Sequence, residues 1–472
     1  MKTKNTTLRE PAKESSASER LQVLNPNAAG IDIGSTFHFV CVGAQAVASG
    51  ENRIRQFGAF THQLDELVQW LKQCGVTTVV MESTGVYWIP LFQKIEQAGI
   101  ETLLVNARDV RHLPGRKTDL KDCEWLQRLH SYGLLRGAFR PADGICRMRS
   151  IMRHRGNLVS SAGEQVQLMQ KALQQMNILL HLVVSDLDGE TGLRILDAIL
   201  AGERDPKRLV ELRDERIKKS TPAEMEAALR GDWRPEHLFV LRQSLDAYRF
   251  FQTQLTQCDE HLKETLDQLV AEMALQLPVP EPESAAAPKA KRKNKKAGNA
   301  PKIDLTLQLR TLAGVDLTQT MGISVLSSLI LISEVGTNMS RWRHEKAFAS
   351  WLGLSPNHKI SGGKILSNRT RPVVNRAANV LRLIALAVGK TDTVWGHFYR
   401  RIRARSGAPK AITATARKIA CLIYYLLKHK KPYVEPDLAN YMERFEKQRI
   451  SNLVRQAKTL GFQLVPVVAV GN

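Results

Sequence analysis

Four acidic residues occupy positions where their carboxylates could bind a divalent cation. Asp32 lies in the middle of an apolar segment, GIDIGST, where a carboxylate carries a heavy desolvation cost unless a cation pairs with it. Glu82 ends the β-branched segment TTVVMEST, at the edge of an expected sheet. Asp119 and Asp122, in KTDLKD, are three residues apart and would share one face of a helix. Because hard cations such as Mg²⁺ prefer oxygen ligands, the ordered set of strand Asp, strand-end Glu and helical Asp-x-x-Asp predicts a magnesium site.

Taken singly, each helical acid also has an ordinary structural explanation. Asp122 is then more typical of a solvated helix charge, and Asp119 of an acid near the start of a helix. Only the complete set, in this order along the chain, is specific enough to indicate a metal site.

A serine with possible chemistry lies in the segment WLGLSPNHKISGGKILSNRTRPVVNRAANVLRLI. Ser361 is followed by Gly362, Gly363 and Lys364, which places a hydroxyl beside a cation on a turn that a phosphate can approach closely. A serine hydroxyl is a weak nucleophile that needs activation or a stabilised leaving group. The residues alone therefore favour a phosphate-binding turn without chemistry, and leave a nucleophilic serine as the alternative.

The charge of the chain indicates a polyanionic partner. The 472 residues carry 68 Lys and Arg against 46 Asp and Glu, a formal charge of +22, and clustered basic residues gain affinity by releasing phosphate counterions. Between Lys364 and Lys431 there are 16 basic residues and a single acid, Asp392. The longest apolar stretch, around 323–332, is too short to span a bilayer. We therefore predict a cytoplasmic, nucleoid-associated protein that binds nucleic acid and has no membrane partner.

The cysteines and the N-terminal residues agree with this prediction. The first twenty residues are polar and lack the apolar region of a signal peptide. The six cysteines are far apart and form no Cys-x-x-Cys pair, which is typical of reduced thiols and argues against a zinc site or a disulfide framework.

Hydrophobic patterns divide the chain into an α/β part and a mainly helical part. Strand and helix signals alternate in the first part, which predicts an α/β layer with a mixed sheet. Two series of apolar residues at spacings of three and four then predict coiled-coil helices, which could form an antiparallel hairpin within the chain or pair between chains. The first series is Val159, Ala162, Val166, Met169, Leu173, Met176 and Leu180, and the second is Leu238, Leu241, Leu245, Tyr248, Leu255, Leu262, Leu266 and Leu269.

A Pro/Lys-rich tract and the glycines that follow it complete the predicted organisation. Seven basic residues without an acid lie in the tract from Lys289 to Lys302, which predicts a linker that is either a spacer or a nonspecific phosphate contact. Glycines flank the apolar helix in LAGVDLTQTMGISVLSSLILISEVG, a pattern typical of a helix-hairpin-helix unit. The predicted parts are a disordered tail (1–27), an α/β domain (28–145), a coiled-coil segment (146–277), a linker (278–302), a basic helical domain (303–440) and a C-terminal extension (441–472).

The combination GIDIG, MESTGVYW, KTDLKD and GLSPNHKISGGK resembles the transposases of bacterial insertion sequences that carry a DEDD, RuvC-like (RNase H-like) domain and a serine transposase domain, the recombinases guided by a bridge RNA. The resemblance covers about 28–145 and 305–430. It implies that Asp32, Glu82, Asp119 and Asp122 bind Mg²⁺, and that Ser361 attacks DNA to form a phosphoserine link.

The resemblance also implies the partners. These are double-stranded donor and target DNA, a noncoding bridge RNA that pairs with both, and further copies of the chain in a dimer or tetramer. The segment after the serine motif departs from the usual Lys/Arg-Gly-Asn run, and Lys364, Arg369, Arg371 and Arg376 supply the expected nucleic-acid contacts instead. Two alternatives remain open: a metal-dependent Holliday-junction-type nuclease without a covalent intermediate, and a non-catalytic nucleic-acid-binding protein.

Overall fold

The computed structural model describes residues 22–48, 51–106, 119–217, 219–276, 298–373 and 375–465, without the side chains of 119–121 and 276. Two compact units divide the chain between Arg140 and Pro141, and each has its own hydrophobic core. In these described ranges, no helix is both long and apolar enough to cross a membrane.

The first unit contains one five-stranded mixed sheet with the strand order β3-β2-β1-β4-β5. Strand β1 is antiparallel to β2 and parallel to β4, which confirms the predicted α/β layer. The elements are β1 (Ala28–Ile33), β2 (Phe37–Cys41), a 3₁₀ turn (Ala44–Ala46), β3 (Ile54–Gly58), α1 (Thr61–Gln73), β4 (Thr78–Glu82), α2 (Trp88–Gln97), β5 (Glu101–Val105) and α3 (Asp119–Ser131).

Strand β3 is the element of this sheet that the hydrophobic pattern did not predict. It is an edge strand that pairs only with β2. Arg55 and Gln56 are both exposed on it, so an apolar alternation is missing. Its strand conformation depends on the ladder with β2, since an edge strand can form on backbone hydrogen bonds to a neighbour without burying a face of its own.

The two faces of the sheet are covered by different helices. Ile31 and Met81 are fully buried on one face, in a core that also contains Leu67 and Leu71 of α1 and Ile95 of α2. Val80 and Val105, whose side chains point to the opposite face, pack with Leu126 of α3. The alternation of β-strand side chains therefore assigns odd positions of β1 to the α1–α2 side and even positions to the α3 side.

Gly30 allows α3 to lie directly on β1. A Cβ atom at this position would meet the backbone nitrogen of Gln127 at 2.3 Å and the carbonyl oxygen of Cys123 at 2.4 Å. Both are backbone atoms, which cannot move aside as the end of a flexible side chain can. The absence of a side chain at Gly30 thus determines how closely the helix carrying Asp122 approaches the strand carrying Asp32.

Residues just before β1, which the sequence placed in the disordered tail, contact the end of α3. The backbone nitrogens of Leu24 and Asn25 donate to the carbonyl oxygen of Ser131 at 2.8 and 3.0 Å, and the Asn25 amide donates to the carbonyl of His130 at 2.8 Å. The last carbonyls of a helix have no partner within the helix, so this segment supplies the donors. The rest of the predicted tail, 1–21, lies outside the described residues.

The second unit is mainly helical. Two long helices, the first and the last of its first six, pack against each other. Arg147 contacts Glu272 and Arg155 contacts Asp259, so the helices run antiparallel within the chain. An antiparallel hairpin within the chain is one of the two arrangements that the apolar series predicted. The elements are α4 (Asp143–Gln175), α5 (Leu180–Val183), α6 (Glu190–Ala201), α7 (Pro206–Glu211), α8 (Pro222–Ala228) and α9 (Pro235–Gln276).

Most of the first predicted apolar series and the first half of the second lie between these helices and the short helices α5–α8. Met169, Leu173 and Met176 in the first series and Leu241 and Leu245 in the second are buried in a single cluster. A spacing of three and four residues places such side chains on one face of a helix, and the cluster shows that this face is packed inside the unit.

A buried ion pair joins the two long helices. Arg155 and Asp259 are 4% and 2% exposed, and the guanidinium donates to both carboxylate oxygens, at 2.6 and 3.4 Å. Arg155 also donates to the carbonyl oxygen of Asn299, and the Lys302 backbone nitrogen donates to Asp259. The end of the predicted linker, 298–302, is thus held against the helical pair, while 277–297 lies outside the described residues.

The remaining elements form a helical bundle with one β-hairpin. Helix α15 packs against α12, α13 and α14, through buried residues that include Ile419, Ala420 and Ile423. The elements are α10 (Thr306–Ala313), a 3₁₀ turn (Leu317–Gln319), α11 (Val325–Val335), α12 (Glu345–Trp351), β6 (Lys359–Ser361), β7 (Lys364–Ser367), α13 (Arg376–Val388), α14 (Val394–Ser406), α15 (Ala408–His429) and α16 (Leu438–Thr459).

The contact at Gly30 yields a prediction about stability. Gly30→Ala is expected to lower the free energy of unfolding by roughly 1–3 kcal/mol, because the added methyl group overlaps backbone atoms of α3. The control is Gly163→Ala in α4, where a Cβ meets no atom within 4 Å; there Ala should raise stability by about 0.5–1 kcal/mol through its better helix propensity. Urea unfolding midpoints of the two variants should therefore move in opposite directions. A Gly30→Ala midpoint equal to that of the wild type would contradict the close approach.

A second stability prediction concerns the ion pair between the long helices. Arg155→Met leaves the Asp259 carboxylate buried without its cation and should destabilise the protein by about 3–5 kcal/mol. The double variant Arg155→Met, Asp259→Leu should recover most of this loss, because no charge then stays buried. A double-mutant cycle measured by thermal unfolding tests the pair. Equal destabilisation by the single and double variants would show that the ion pair is not the cause.

Candidate active site

Asp32 and Glu82 are neighbours at the carboxyl ends of two adjacent parallel strands. Ile31 of β1 is in register with Met81 of β4, and Asp32 and Glu82 are the next residues of each strand. Adjacent strands are about 4.8 Å apart. Because side chains alternate, both carboxylates point to the same face as Gly30, the face that α3 covers. Both residues are half-buried.

Helix α3 brings a third carboxylate to this face. Cys123 is buried on α3, and its carbonyl oxygen lies against Gly30. Burial raises the pKa of the Cys123 thiol to about 12, with further contributions from Cys41 and from the nearby negative charges of Asp32 and Asp122. Asp122 directly precedes Cys123 on α3, so the packing of this helix on Gly30 brings it to the side of the sheet that carries Asp32.

Polar contacts further along α3 fix the orientation of the helix on the sheet. The His130 ring lies 2.9 Å from the hydroxyl of Thr78 (Nε2 to Oγ1), and burial lowers the pKa of His130, so the ring is neutral at pH 7. The Gln127 amide donates to the Ala28 carbonyl at 3.3 Å and to the Ser131 hydroxyl at 2.9 Å. These positioning residues were not among the sequence predictions. Their signal was the spacing of Cys123, Gln127 and His130, which repeats at three and four residues on the buried face.

An ion pair connects the first half of α3 to the segment just before β3. Arg53, just before β3, pairs with Glu124 of α3. Glu124 is therefore an acid with a structural partner, two residues after Asp122, and it provides a natural comparison for the carboxylates that face the sheet.

Asp119 is the first residue of α3, three positions before Asp122, and its side chain lies outside the described residues. Among the side chains that are described, no three of His, Cys, Asp and Glu surround a common point. The donors present are carboxylate oxygens, the type that a hard divalent cation prefers. The chemistry of Asp32, Glu82 and Asp122 therefore fits such a cation.

Ser361 lies at the end of a short, exposed β-hairpin. Strand β6 pairs with β7 through Ser361 and Lys364, and the two residues between them, Gly362 and Gly363, have φ angles of 54° and 75°. Such a two-residue turn with positive φ at both positions is typical of type I′ hairpins and favours glycine. The register places the hydroxyl and the ammonium group on the same face, so the predicted pairing of Ser361 with a cation is present locally.

Ser361 lies beside a cation but is not enclosed by other residues of the protein. All residues from Lys359 to Leu366 are exposed, and Ile360 and Ile365 are apolar residues in contact with solvent on the hairpin. Among the hydrogen bonds of the described residues, none involves the Ser361 hydroxyl, and His358, the nearest imidazole in sequence, is bonded to Asn368 at 2.7 Å. The hairpin therefore presents the serine to a ligand that arrives from solvent.

The basic residues of the hairpin and of the segment that follows it differ in their roles. Lys364 and Arg369 are exposed, and the Arg369 backbone holds the loop through its carbonyl, which accepts from Asn357 at 3.0 Å. The Arg371 guanidinium donates to the carbonyl of Ser350 at 2.7 Å, so it also fastens the loop to α12. Arg376 is exposed at the start of α13. Of the four residues that were predicted to contact nucleic acid, Arg371 therefore also has a structural role.

Comparison with known families assigns both parts of the chain. Residues 29–178 match a family model of DEDD transposases of the IS110 type, described as a transposase, and residues 316–400 match the transposase IS116/IS110/IS902 family. No curated protein matches the chain. The first match includes β1, β4 and α3 with the carboxylates, and the second includes the hairpin with Ser361. Over these two segments the chain is therefore similar to insertion-sequence transposases, of the DEDD type in the first and of the IS116/IS110/IS902 family in the second.

Proposed function

We propose that the protein is an RNA-guided, site-specific DNA recombinase that cuts and exchanges strands through Ser361, assisted by Mg²⁺ at Asp32, Glu82, Asp119 and Asp122. The observation that carries the proposal is the packing of α3, the helix of Asp122, directly on β1 at Gly30, with Glu82 beside Asp32 in the sheet, inside a segment that matches DEDD transposases. Half-buried carboxylates such as these carry a desolvation cost. A bound cation and a substrate phosphate would offset this cost.

Each group has a defined role in the proposed chemistry. The Ser361 oxygen forms a bond to the scissile phosphorus while the bond from phosphorus to the leaving deoxyribose oxygen breaks, and the proton lost by the serine is matched by one gained by that oxygen. Lys364 lies beside Ser361 in the hairpin register and stabilises the negative charge that develops on the phosphate. Asp32, Glu82, Asp119 and Asp122 would hold Mg²⁺, which would supply positive charge to the phosphate and to the leaving oxygen.

A serine nucleophile also explains how strands could be exchanged without an energy source. The phosphoserine ester conserves the energy of the phosphodiester bond, so a new strand end can displace the serine. A water nucleophile would release free ends, which need a ligase to rejoin.

The partners of the proposed reaction are nucleic acids. The resemblance implies donor and target duplex DNA, a noncoding RNA that pairs with them, and an assembly of two or four chains. The charge of +22 supports a polyanionic partner, and the basic surface of the second unit, with Lys364, Arg369 and Arg376 exposed, offers contacts to phosphate.

A metal-dependent nuclease is the second candidate. The exposed hairpin favours it, because no described side chain is bonded to the Ser361 hydroxyl, whereas the carboxylates lie in a packed fold that suits activation of water. The two candidate functions are distinguished with a suicide substrate, a DNA from the boundary of the insertion sequence. It is incubated with the full chain and the noncoding RNA of the same insertion sequence. A recombinase leaves a covalent protein–DNA adduct, and a nuclease leaves free ends.

The carboxylates give the first functional prediction. Asp122→Asn keeps the shape of the side chain but removes the charge that holds a hard cation, so strand cleavage should fall at least 100-fold, in the order of magnitude expected for loss of a metal ligand. Glu124→Gln is the matched control on the same helix, because Glu124 is paired with Arg53, and should retain cleavage. Wild-type cleavage by Asp122→Asn at saturating Mg²⁺ would rule out this ligand.

Ser361 gives the second functional prediction. Ser361→Ala should abolish both the covalent adduct and the recombinant product while leaving DNA affinity unchanged, because an exposed strand end tolerates the loss of a hydroxyl. Ser367→Ala is the control on the other strand of the same hairpin, where the hydroxyl accepts only a backbone hydrogen bond from Arg369 at 3.3 Å. Adduct formation by Ser361→Ala would show that the nucleophile lies elsewhere, and free ends at the wild-type rate would favour the nuclease.

A further inference from the structure

A cleft of about 450 Å³ lies between helices α14 and α16 of the second unit. This volume is within the range of small-ligand sites, about 300–1,000 Å³. The residues that define its chemistry are Arg401, Arg405, Phe445, Gln448, Arg449 and Asn452. The cleft begins where the match to the IS116/IS110/IS902 family ends, at residue 400, so neither family match assigns a role to it.

The charged side chains that line this cleft are all cations. Three guanidinium groups line it, and no acid does. In the part of the chain that the structure describes, no ion pair joins Arg401, Arg405 or Arg449 to a carboxylate, whereas the nearby Lys447 is paired with Glu443. Arginines that lack acidic partners within a concave surface favour an anionic ligand, and the planar guanidinium suits phosphate in particular.

One of the three arginines has a structural task. The Arg401 guanidinium lies 4.5 Å from the centre of the Phe445 ring, 5.8 Å from that of Tyr441 and 5.5 Å from that of Phe398. These cation–π contacts hold α16 against α14, since no residue of α16 is fully buried. Arg405 and Arg449 are exposed and have no such contact, so they are the groups available to a ligand.

The lining also offers surfaces for a planar, partly apolar group. Phe445 is half-buried and contributes to the cleft, together with Ile402 and Leu453. The Gln448 amide donates to that of Asn452 at 3.3 Å, and both amides retain further donor and acceptor capacity. A ligand that fits combines an anionic group with a flat ring that carries polar edges.

We propose that the cleft between α14 and α16 binds single-stranded nucleic acid, with a backbone phosphate at Arg405 and Arg449 and a base against Phe445. Arginine-lined grooves with an aromatic ring are how proteins bind unpaired strands, because every base has a face that stacks. A base inside a duplex is already stacked on both faces and cannot enter. This site does not rest on the chemistry of Ser361 or of the carboxylates, because it concerns binding outside those residues.

The experiment measures binding of fluorescent oligonucleotides to the full chain by anisotropy, in EDTA so that cleavage plays no part. The probes are a 20-nucleotide oligo-dT, a 20-nucleotide oligo-U and a 20-base-pair DNA duplex. The double variant Arg405→Gln, Arg449→Gln is compared with Arg403→Gln, Arg444→Gln, which removes the same charge from the same two helices at residues that do not line the cleft. A third variant, Phe445→Leu, removes the ring, and circular dichroism confirms that helix content is retained.

The proposal expects a loss specific to the cleft. Removing Arg405 and Arg449 should weaken single-strand binding roughly tenfold at 0.15 M salt and lower the log–log salt slope by about 0.7, which corresponds to the one phosphate that the two arginines share. The control pair should change affinity less than about threefold. Phe445→Leu should weaken the single-stranded probes and leave the duplex unchanged. A larger loss of affinity for oligo-dT identifies single-stranded DNA as the ligand of the cleft, and a larger loss for oligo-U identifies RNA.

Three outcomes would overturn the proposal. One is wild-type affinity and salt slope in Arg405→Gln, Arg449→Gln. Another is an equal loss in the control pair, which would show a general effect of charge. The third is an equal loss for duplex and single strands in the cleft variant, which would show a plain phosphate contact without a base site. Because no cleavage is measured, these results are independent of whether Ser361 is the nucleophile.

Discussion

The contact of α3 with β1 at Gly30 is the constraint on which the carboxylate site depends. A helix can lie this close to a strand only where the strand has no side chain, since a Cβ would overlap the backbone of Cys123 and Gln127. The same contact brings Asp122 to the face of the sheet that carries Asp32. The polar pair of Thr78 and His130 and the segment before β1 then secure the far end of the helix, so its position along the strand is determined at both ends.

The two candidate sites differ in their exposure to solvent. The carboxylates lie between packed layers, where burial raises the energetic penalty of their charge and makes a cation favourable. Ser361 lies on a hairpin in solvent, positioned by a two-residue glycine turn and accompanied by Lys364. The first arrangement suits a preorganised site, and the second suits a group that must reach a large ligand.

The positive charge of the chain is divided between structural and available cations. Arg155 is buried in an ion pair, Arg153 pairs with Glu334 of α11, and Arg401 is surrounded by aromatic rings. A count of basic residues includes all of these, although they are already engaged within the fold. The cations with access to a ligand include those of the hairpin and those of the cleft between α14 and α16, where Arg405 and Arg449 are exposed.

Local patterns in the sequence were sufficient for most strands of the sheet, for the two long helices and for the order of the candidate ligands along the chain. Apolar β-branched segments predicted β1, β4 and β5, and spacings of three and four residues predicted α4 and α9, because a buried face imposes these periods on nearby residues. Strand β3, the role of Gly30, and the pairing of Thr78 with His130 required the tertiary structure. Each depends on residues tens of positions apart in the chain, and the packing of helices on the sheet, which local periodicity does not encode, decides which of them meet.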